Sequence, residues 1–325
     1  MSADCLKLTT YFGERARAGD RFLADALLDV YGDHGLRVSA LFRGTEGFGA
    51  RHHLHTQRLL TLSEELPIVS VAVDTRERIE RVLPEVERLS TRGLVTLERA
   101  RLLDGPPDAV DETSKLTIYV GRKERLDGRP AYLAVVDALH RHGTAGATVL
   151  LGVDGTAHGV RRRARFFAAN PDVPLMVISV GDGGPIARAA AELTGALARP
   201  LMTLERARVC KRDGVRLAEP HPPSRGAGVW HKLMVYARAP VHAALMRRLR
   251  ASEAAGATAL RAIWGYHGDH APHGETLWSL RRDAPVLTVV IDTPARIGGV
   301  FAVVDELTAL SGVVTSELVP AVRRG

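Results

Sequence analysis

Apolar and polar positions alternate along the chain in a pattern that predicts a mixed α and β fold. In residues 7–12, Leu8, Thr10 and Phe12 alternate with more polar neighbours, which indicates a strand. Apolar side chains then recur at helical spacing, which indicates an amphipathic helix. The predicted apolar face of this helix comprises Phe22, Leu23, Ala26, Leu27 and Val30. Strands at 36–42, 68–73 and 94–102 and a helix at 75–90 complete the pattern.

The same order of phrases occurs three times, at a period of roughly 110 residues. The phrases KLTTYFG, KLTIYVG and KLMVYAR begin at Lys7, Lys115 and Lys232. The phrases LPIVSVAVDT, VPLMVISVGD and APVLTVVIDT begin at Leu66, Val173 and Ala284, and closing phrases begin at Gly93, Arg199 and Ser311. We therefore predict three units at 1–103, 114–210 and 231–325, with Pro/Gly-rich linkers at 104–113 and 211–230.

Each unit has the element order β-α-β-β-α-β, which predicts an α+β fold of the ferredoxin-like type. Right-handed crossovers place both helices on one face of a four-stranded sheet. The other face also carries apolar side chains and must be covered. Three sheets that pack face-inward around an axis would cover it.

The phrases resemble the PII-like family known as domain of unknown function 190. Unit 1 contains RGTEGFG, LSEELPIVSVAVD and GLVTLE, and unit 2 contains AGATVLLGVDG and MTLE without the Phe-Gly pair. Unit 3 contains AGATALRAIWGYHG and VVIDT but has lost the glycine after its first strand. The resemblance implies a trimer of ferredoxin-like units, so we expect a monomeric, single-chain pseudo-trimer.

A glycine-rich loop follows the second strand of each unit. In PII-like proteins this region lies beside a nucleotide or small-ligand cleft, and glycine lets backbone N–H groups approach an anion. The resemblance implies that the ligand-binding residues are Arg43, Gly44, Glu46, Gly47, Phe48, Gly49, Gly152, Asp154, Gly155 and Gly265. The alternative is a plain hairpin connection, in which glycine is also common.

The loop after the first strand is a second candidate ligand site. It carries Gly13, Glu14 and Arg15 in unit 1 and Gly121, Arg122 and Lys123 in unit 2. Basic groups that lead into a helix suit phosphate or carboxylate, although a solvated basic loop is the simpler interpretation. Unit 3 has Ala237-Arg238-Ala239-Pro240 here, so we expect any cleft that depends on its loop to be weakened.

Three further groups of charged or metal-binding side chains have a simple and a functional interpretation. Lys7, Lys115 and Lys232 are repeated packing positions or a ring of lysines paired with Glu98, Glu205 and Glu317. The histidines at 52, 53 and 55 and at 267, 270 and 273 are either ordinary polar residues of a loop or metal ligands. Arg161, Arg162, Arg163 and Arg165 are a surface charge run or a docking site for an acidic partner.

Composition narrows the function classes. The net charge of +7 comes from arginines mixed with acidic residues, which argues against a nucleic-acid partner. Two cysteines without metal spacing and an N-terminus unlike a signal peptide predict a cytoplasmic protein. No nucleophile or carboxylate pair has catalytic spacing, so we expect no enzyme and no cofactor.

The leading hypothesis is a regulatory protein that binds a small anionic effector, with an adenine nucleotide favoured, in clefts between units. The resemblance implies that its glycine loops switch order to control a partner such as a membrane transporter or channel. The alternatives are a degenerate interaction scaffold without ligand and a metal-binding protein that resembles CutA.

Overall fold

The computed structural model describes residues 2–49, 55–56, 66–91, 93–108, 110, 112–157, 160–163, 173–222, 228–252, 254–268, 270–274 and 285–324. Within these ranges the chain forms 6 helices and 24 strands, most of which belong to a continuous antiparallel sheet. The elements fall into three successive groups that match the three predicted repeats. The fold is therefore α+β.

Unit 1 contains two helices packed on a four-stranded sheet with short hairpins. Its elements are β1 (Ser2–Gly13), β2 (Arg17–Ala18), β3 (Arg21–Phe22), α1 (Leu23–Asp33), β4 (Val38–Arg43), β5 (Glu46–Phe48), β6 (His55–Thr56), β7 (Pro67–Thr75), α2 (Arg76–Leu89) and β8 (Leu94–Leu103). The strand order is β8-β1-β7-β4, with every neighbour antiparallel.

Units 2 and 3 repeat this plan. Unit 2 comprises β9 (Ser114–Gly121), β10 (Arg125–Leu126), β11 (Arg129–Pro130), α3 (Ala131–Arg141), β12 (Gly146–Leu151), β13 (Asp154–Ala157), β14 (Val160–Arg163), β15 (Pro174–Gly181), α4 (Gly183–Ala196), β16 (Met202–Arg206), β17 (Arg208–Arg212) and β18 (Val215–Arg216). Unit 3 comprises β19 (Val229–Arg238), α5 (Ala239–Ala251), β20 (Ala257–Arg261), β21 (Trp264–His267), β22 (His273–Gly274), β23 (Pro285–Asp292), α6 (Ile297–Leu307) and β24 (Val313–Arg324). Their strand orders are β16-β9-β15-β12 and β24-β19-β23-β20.

Two sequence predictions need correction. Phe22 does not lie on the apolar face of the first helix: it precedes the helix and is 45% exposed, with the Arg17 guanidinium stacked over its ring. The predicted second linker is not wholly irregular, because β17 and β18 form a hairpin that begins before residue 211 and continues to residue 216.

Both faces of each sheet are buried. One face packs against its own pair of helices, as Leu27, Ile79 and Val95 do in unit 1. The opposite faces share a single cluster that draws from all three units, including Val71, Ile178 and Val289. Burial on both sides explains why the strands show so many apolar residues in succession.

Strand pairing also joins the units in a cyclic manner. The hairpin strand of each unit pairs with the second sheet strand of the preceding one: β13 with β4, β21 with β12, and β5 of unit 1 with β20 of unit 3. The last strands form a second cycle in which β8 pairs with β16, β17 with β24, and the end of β24 with β8. Each unit therefore contacts both others through backbone hydrogen bonds.

Candidate functional site

Six charged side chains meet where the three sheets converge, and we call them the central cluster: Lys7, Lys115, Lys232, Glu98, Glu205 and Glu317. Strand register sets each lysine opposite the glutamate of its own unit, as with Lys7 and Glu98. All six side chains are at most 9% exposed. The predicted pairing of the repeat lysines with these glutamates is confirmed.

The ion pairs of the central cluster run in a cycle. The Lys7 ammonium lies 3.2 Å from Glu98 of its own unit and 2.7 Å from Glu205 of unit 2. The Lys115 ammonium bridges Glu205 at 2.7 Å and Glu317 at 2.6 Å. The Lys232 ammonium closes the cycle, 2.9 Å from Glu317 and 2.6 Å from Glu98. Each lysine therefore links two units, and the six charges cancel.

The electrostatics of the cluster favour the charged forms of Lys7, Lys115, Glu98 and Glu205, whereas burial lowers the pKa of Lys232 despite its two neighbouring glutamates. Burial alone would raise the pKa of Glu98 and Glu205, but the neighbouring ammonium groups outweigh it. The pKa of Glu98 falls well below its ordinary range, and that of Glu205 falls to about 2. Burial opposes the charge of Lys115, yet Glu205 and Glu317 raise its pKa.

Three carboxylates this close resemble a metal site, because one oxygen from each lies within 4.8 Å of the others. The three ammonium groups already neutralise these carboxylates and occupy the positions beside them. A cation would have to displace at least one buried lysine. The central cluster is therefore a structural cross-link between units.

The predicted glycine-loop residues lie at the contacts between units. Gly155 and Gly265 face the neighbouring strand so closely that a Cβ atom would collide with the carbonyl oxygen of Ser39 or Ala147, and a Cβ atom on Gly47 would make a tight contact of 3.1 Å with that of Ala257. Gly44 and Gly152 instead pack against Pro67 and Pro174 and donate hydrogen bonds to their carbonyl oxygens. Glycine is required here because two backbones approach closely.

The other residues of this predicted loop site differ in exposure. Phe48 and Asp154 are buried, and a Cβ atom on Gly49 would meet open space. The Glu46 carboxylate lies 3.2 Å from the imidazole of His242 in unit 3. Glu46 therefore serves the contact between units 1 and 3.

The loop after the first strand is held in the same way in units 1 and 2. The backbone N–H groups of Glu14 and Arg122 donate to the carbonyl oxygens of Leu66 and Val173. The Glu14 carboxylate pairs with the Arg43 guanidinium, which joins the two predicted sites of unit 1. Gly13 and Gly121 end their strands, and Arg15, Arg122 and Lys123 are exposed.

Some predicted positions lie outside the described residues or side chains. These are His52, His53 and Arg165 for the backbone, and His55, Arg161, Arg162 and Arg163 for the side chains.

An open groove of about 420 Å³ lies between units 1 and 2. Its charged lining is Arg37, Arg78 and Asp104 from unit 1 and its linker, and Arg199 from unit 2. Leu102, Leu103 and Leu201 form an apolar floor. The volume suits a small ligand, but the exposed lining is more polar than that of most small-ligand sites, so the groove favours a charged ligand.

Local structure positions the groove arginines. Arg37 directly precedes β4, and its backbone N–H donates to the buried Asp74 carboxylate at 2.9 Å. The Arg78 guanidinium donates to the Gly35 carbonyl at 2.9 Å. Asp74 and Asp104 lie 3.7 Å and 3.8 Å from the Arg37 guanidinium, and Asp74 also lies 3.7 Å from that of Arg78. At these distances the carboxylates leave guanidinium donors without a short hydrogen bond. Arg199 forms no ion pair with the residues that the structure describes.

The positions equivalent to the three groove arginines differ in charge among the repeats. The repeats align Arg37, Arg78 and Arg199 with Ala145, Pro185 and Ser311 between units 2 and 3. Between units 3 and 1 the equivalents are Ala255, Arg296 and Arg92. These positions thus hold three arginines for units 1 and 2, none for units 2 and 3, and two for units 3 and 1. Sequence reasoning missed these residues, and a comparison of the repeats position by position would have found them.

The model of DUF190, described as "Uncharacterized ACR", matches residues 5–102, 113–209 and 232–321. The chain belongs to this family. It is 31% identical over 77 residues to a UPF0166 protein of Aquifex aeolicus (strain VF5), across 24% of this chain and 72% of the relative. A second UPF0166 protein of that organism is 31% identical over 68 residues, across 21% and 71%. The DUF190 chain described here is thus about three times as long as these relatives.

In the part of the DUF190 chain that the structure describes, no helix has the length and apolar character needed to cross a membrane.

Proposed function

We propose that this DUF190 protein is a non-catalytic, PII-like regulator that binds a small anionic effector, with an adenine nucleotide favoured, between units 1 and 2. The observation that carries the proposal is the convergence of Arg37, Arg78 and Arg199 on one groove. Guanidinium groups bind phosphate through paired, charge-assisted hydrogen bonds. The apolar floor suits the flat face of a base.

The proposed architecture is a single-chain pseudo-trimer of ferredoxin-like units. The strand order within each unit, the two cycles of strand pairing and the central cluster support it. Fusion of three units replaces concentration-dependent assembly, so we expect a monomer in solution.

The proposed groove suits a regulatory role because its two sides belong to different units. A ligand that contacts Arg37 and Arg199 would bridge units 1 and 2. Such a ligand favours the arrangement of the two units that it binds best. By family resemblance, the partner that responds to this change is a membrane transporter or channel. The compartment is the cytoplasm.

Buried thiols support a role without catalysis. Burial raises the pKa of both Cys5 and Cys210 to about 12, so neither forms a thiolate near neutral pH.

A degenerate interaction scaffold is the second candidate. The glycine loops favour this candidate, because the backbone of a neighbouring unit occupies the space beside the Cα atoms of Gly47, Gly155 and Gly265. In that case the units would be held together for a protein partner alone, and the arginine groove would bind no nucleotide.

Isothermal titration with ATP, ADP, AMP and cyclic AMP tests the proposal. We expect at least one of them to bind the wild type. Arg199→Ala should weaken that binding by roughly tenfold or more, because a hydrogen bond to a charged group contributes about 1.5–3 kcal/mol. Arg206→Ala is the matched control, since Arg206 belongs to the same unit, is 89% exposed and pairs with Glu112 outside the groove.

Absence of heat or thermal shift with all four nucleotides would favour the scaffold. Equal losses in the Arg199→Ala and Arg206→Ala variants would show that general charge, and not the groove, attracts the ligand.

A further inference from the structure

The imidazole of His267, like that of His231, is buried without a hydrogen-bond partner among the described residues. His267 ends β21, where it pairs with Gly146 of unit 2, and its side chain is 3% exposed. Neither ring nitrogen forms a hydrogen bond with the described residues. A buried imidazole without partners is costly, so its position calls for a ligand.

An aspartate faces this imidazole from a different part of the chain. Asp213 lies in the turn between β17 and β18 with φ of 48°, and its backbone N–H donates to the Gly312 carbonyl at 2.8 Å. Its Oδ1 atom lies 3.7 Å from His267 Nδ1 and is buried without a hydrogen-bond partner among the described residues. Gly268 leaves room for the Asp213 carboxylate, which a Cβ atom would displace.

Two more histidines complete the set. The ring centroids of His270 and His273 lie 5.3 Å and 6.4 Å from that of His267, both with edge-to-face geometry. His273 Nδ1 lies 3.1 Å from the Ala271 carbonyl, which only accepts, so this nitrogen carries the proton. The Nε2 lone pair of His273 is then available to a metal ion. His270 is exposed and free of close packing, so its ring turns at little cost.

We propose that His267, His270, His273 and Asp213 form a binding site for one divalent transition-metal ion of the zinc class. Three imidazoles and one carboxylate are a ligand set that suits four-coordinate Zn²⁺. The metal would supply a partner for the His267 ring and for Asp213 Oδ1, while Asp213 Oδ2 lies 3.8 Å from the Arg212 guanidinium.

The site has a clear place in the fold. It joins the hairpin of β17 and β18, at the end of unit 2, to the loop of unit 3. An Asp-Gly pair follows β8 and also β17: Asp104 lines the arginine groove, and Asp213 faces the histidines. Binding of a metal would therefore fasten units 2 and 3 together.

The test is Zn²⁺ binding to the tag-free, full-length chain, measured by competition with a chromophoric chelator. The background variant is His52→Ala/His53→Ala/His55→Ala, which removes the other histidine group. We expect one Zn²⁺ per chain, and Co²⁺ should give the visible bands of tetrahedral coordination. Asp213→Asn keeps a residue that tolerates positive φ and should weaken binding by roughly tenfold or more.

The double variant His270→Ala/His273→Ala changes only the accessible ligands and should reduce affinity further without unfolding the protein. His34→Ala is the control, since His34 lies beside Glu85 in unit 1, and it should leave binding unchanged. Failure of the background variant to bind Zn²⁺ would overturn the proposal. Undiminished affinity in both the Asp213→Asn and the double variant would also overturn it.

Discussion

The centre and the periphery of this molecule use the three repeats in opposite ways. At the centre each unit contributes the same lysine and the same glutamate, and every lysine bridges two units. At the grooves the equivalent positions carry three arginines, none or two. Three copies in one chain can remain alike where they hold one another and diverge where they meet solvent, which identical subunits cannot do.

The two regions also differ in how accessible their charged side chains are. The central cluster is buried, and each of its six side chains forms an ion pair within it. The grooves keep guanidinium donors at a concave surface, where a ligand can reach them. Two kinds of experiment test this contrast. One asks whether the central cluster holds the units together, and the other asks whether the three contacts between units differ in ligand binding.

The largest expected effect is that of Lys115→Met. This substitution leaves Glu205 and Glu317 with an uncompensated buried charge, and removing one partner of a buried pair costs about 3–5 kcal/mol. Urea unfolding measures the loss. The control is Arg206→Ala, which breaks an exposed pair and should have little effect; similar midpoints for the two variants would remove the structural role of the cluster.

Acid should weaken the same cluster. Glu98 and Glu205 have folded pKa values below their ordinary value of 4.5, so their contribution to stability is complete above pH 4.5 and is lost as the pH falls towards 2. The unfolding free energy should therefore fall steeply over this window. Urea titrations at about pH 7 and about pH 3 measure it, and Glu205→Gln should show a smaller drop than the wild type.

A matched pair of threonines sharpens the comparison within the cluster. The Thr117 hydroxyl donates to Glu205 at 3.1 Å, whereas the equally buried Thr315 hydroxyl has no partner among the described residues. Thr117→Val should cost about 1.5–3 kcal/mol, as expected for a hydrogen bond to a charged group. Thr315→Val should be neutral or stabilising, and chemical denaturation of both variants decides whether the two sites differ.

Glycine substitutions test the contacts between units. Gly265→Ala places a methyl group against the Ala147 carbonyl and should cost about 1–3 kcal/mol by overpacking. Gly49→Ala meets open space and should leave the melting temperature unchanged. Equal melting temperatures would mean that β21 does not need its close approach to β12.

Much of this fold was predictable because each unit repeats the same periodicities. Alternation in residues 7–12 and the closing phrase at Gly93 locate β1 and β8, and register then sets Lys7 opposite Glu98. The pairing of Lys7 with Glu205 of unit 2 has no local signal; it follows from the packing of three sheets. The prediction put Phe22 on the helix because helical spacing does not show where the first turn begins. Phe22 precedes that turn, and Arg17 stacks on its ring.

The candidate site was less predictable. The family resemblance predicted anion binding at the glycine loops, and this stays a prediction; the structure adds that Gly155 and Gly265 lie at close strand contacts between units. The groove arginines come from separate parts of the chain that meet only after folding: Arg37 precedes β4, Arg78 lies in α2, and Arg199 precedes β16 of unit 2. Likewise, Asp213 and His267 are remote in sequence, so no motif joins them.

The stoichiometry of effector binding tests the central claim most directly. If the periphery has diverged while the centre has not, calorimetric titration of the wild type with the nucleotide that binds best should give one tight site per chain. That site should be lost in the Arg37→Ala/Arg199→Ala variant, whose urea midpoint should match that of the wild type. Three equal sites per chain, or one site that survives the double substitution, would contradict the account.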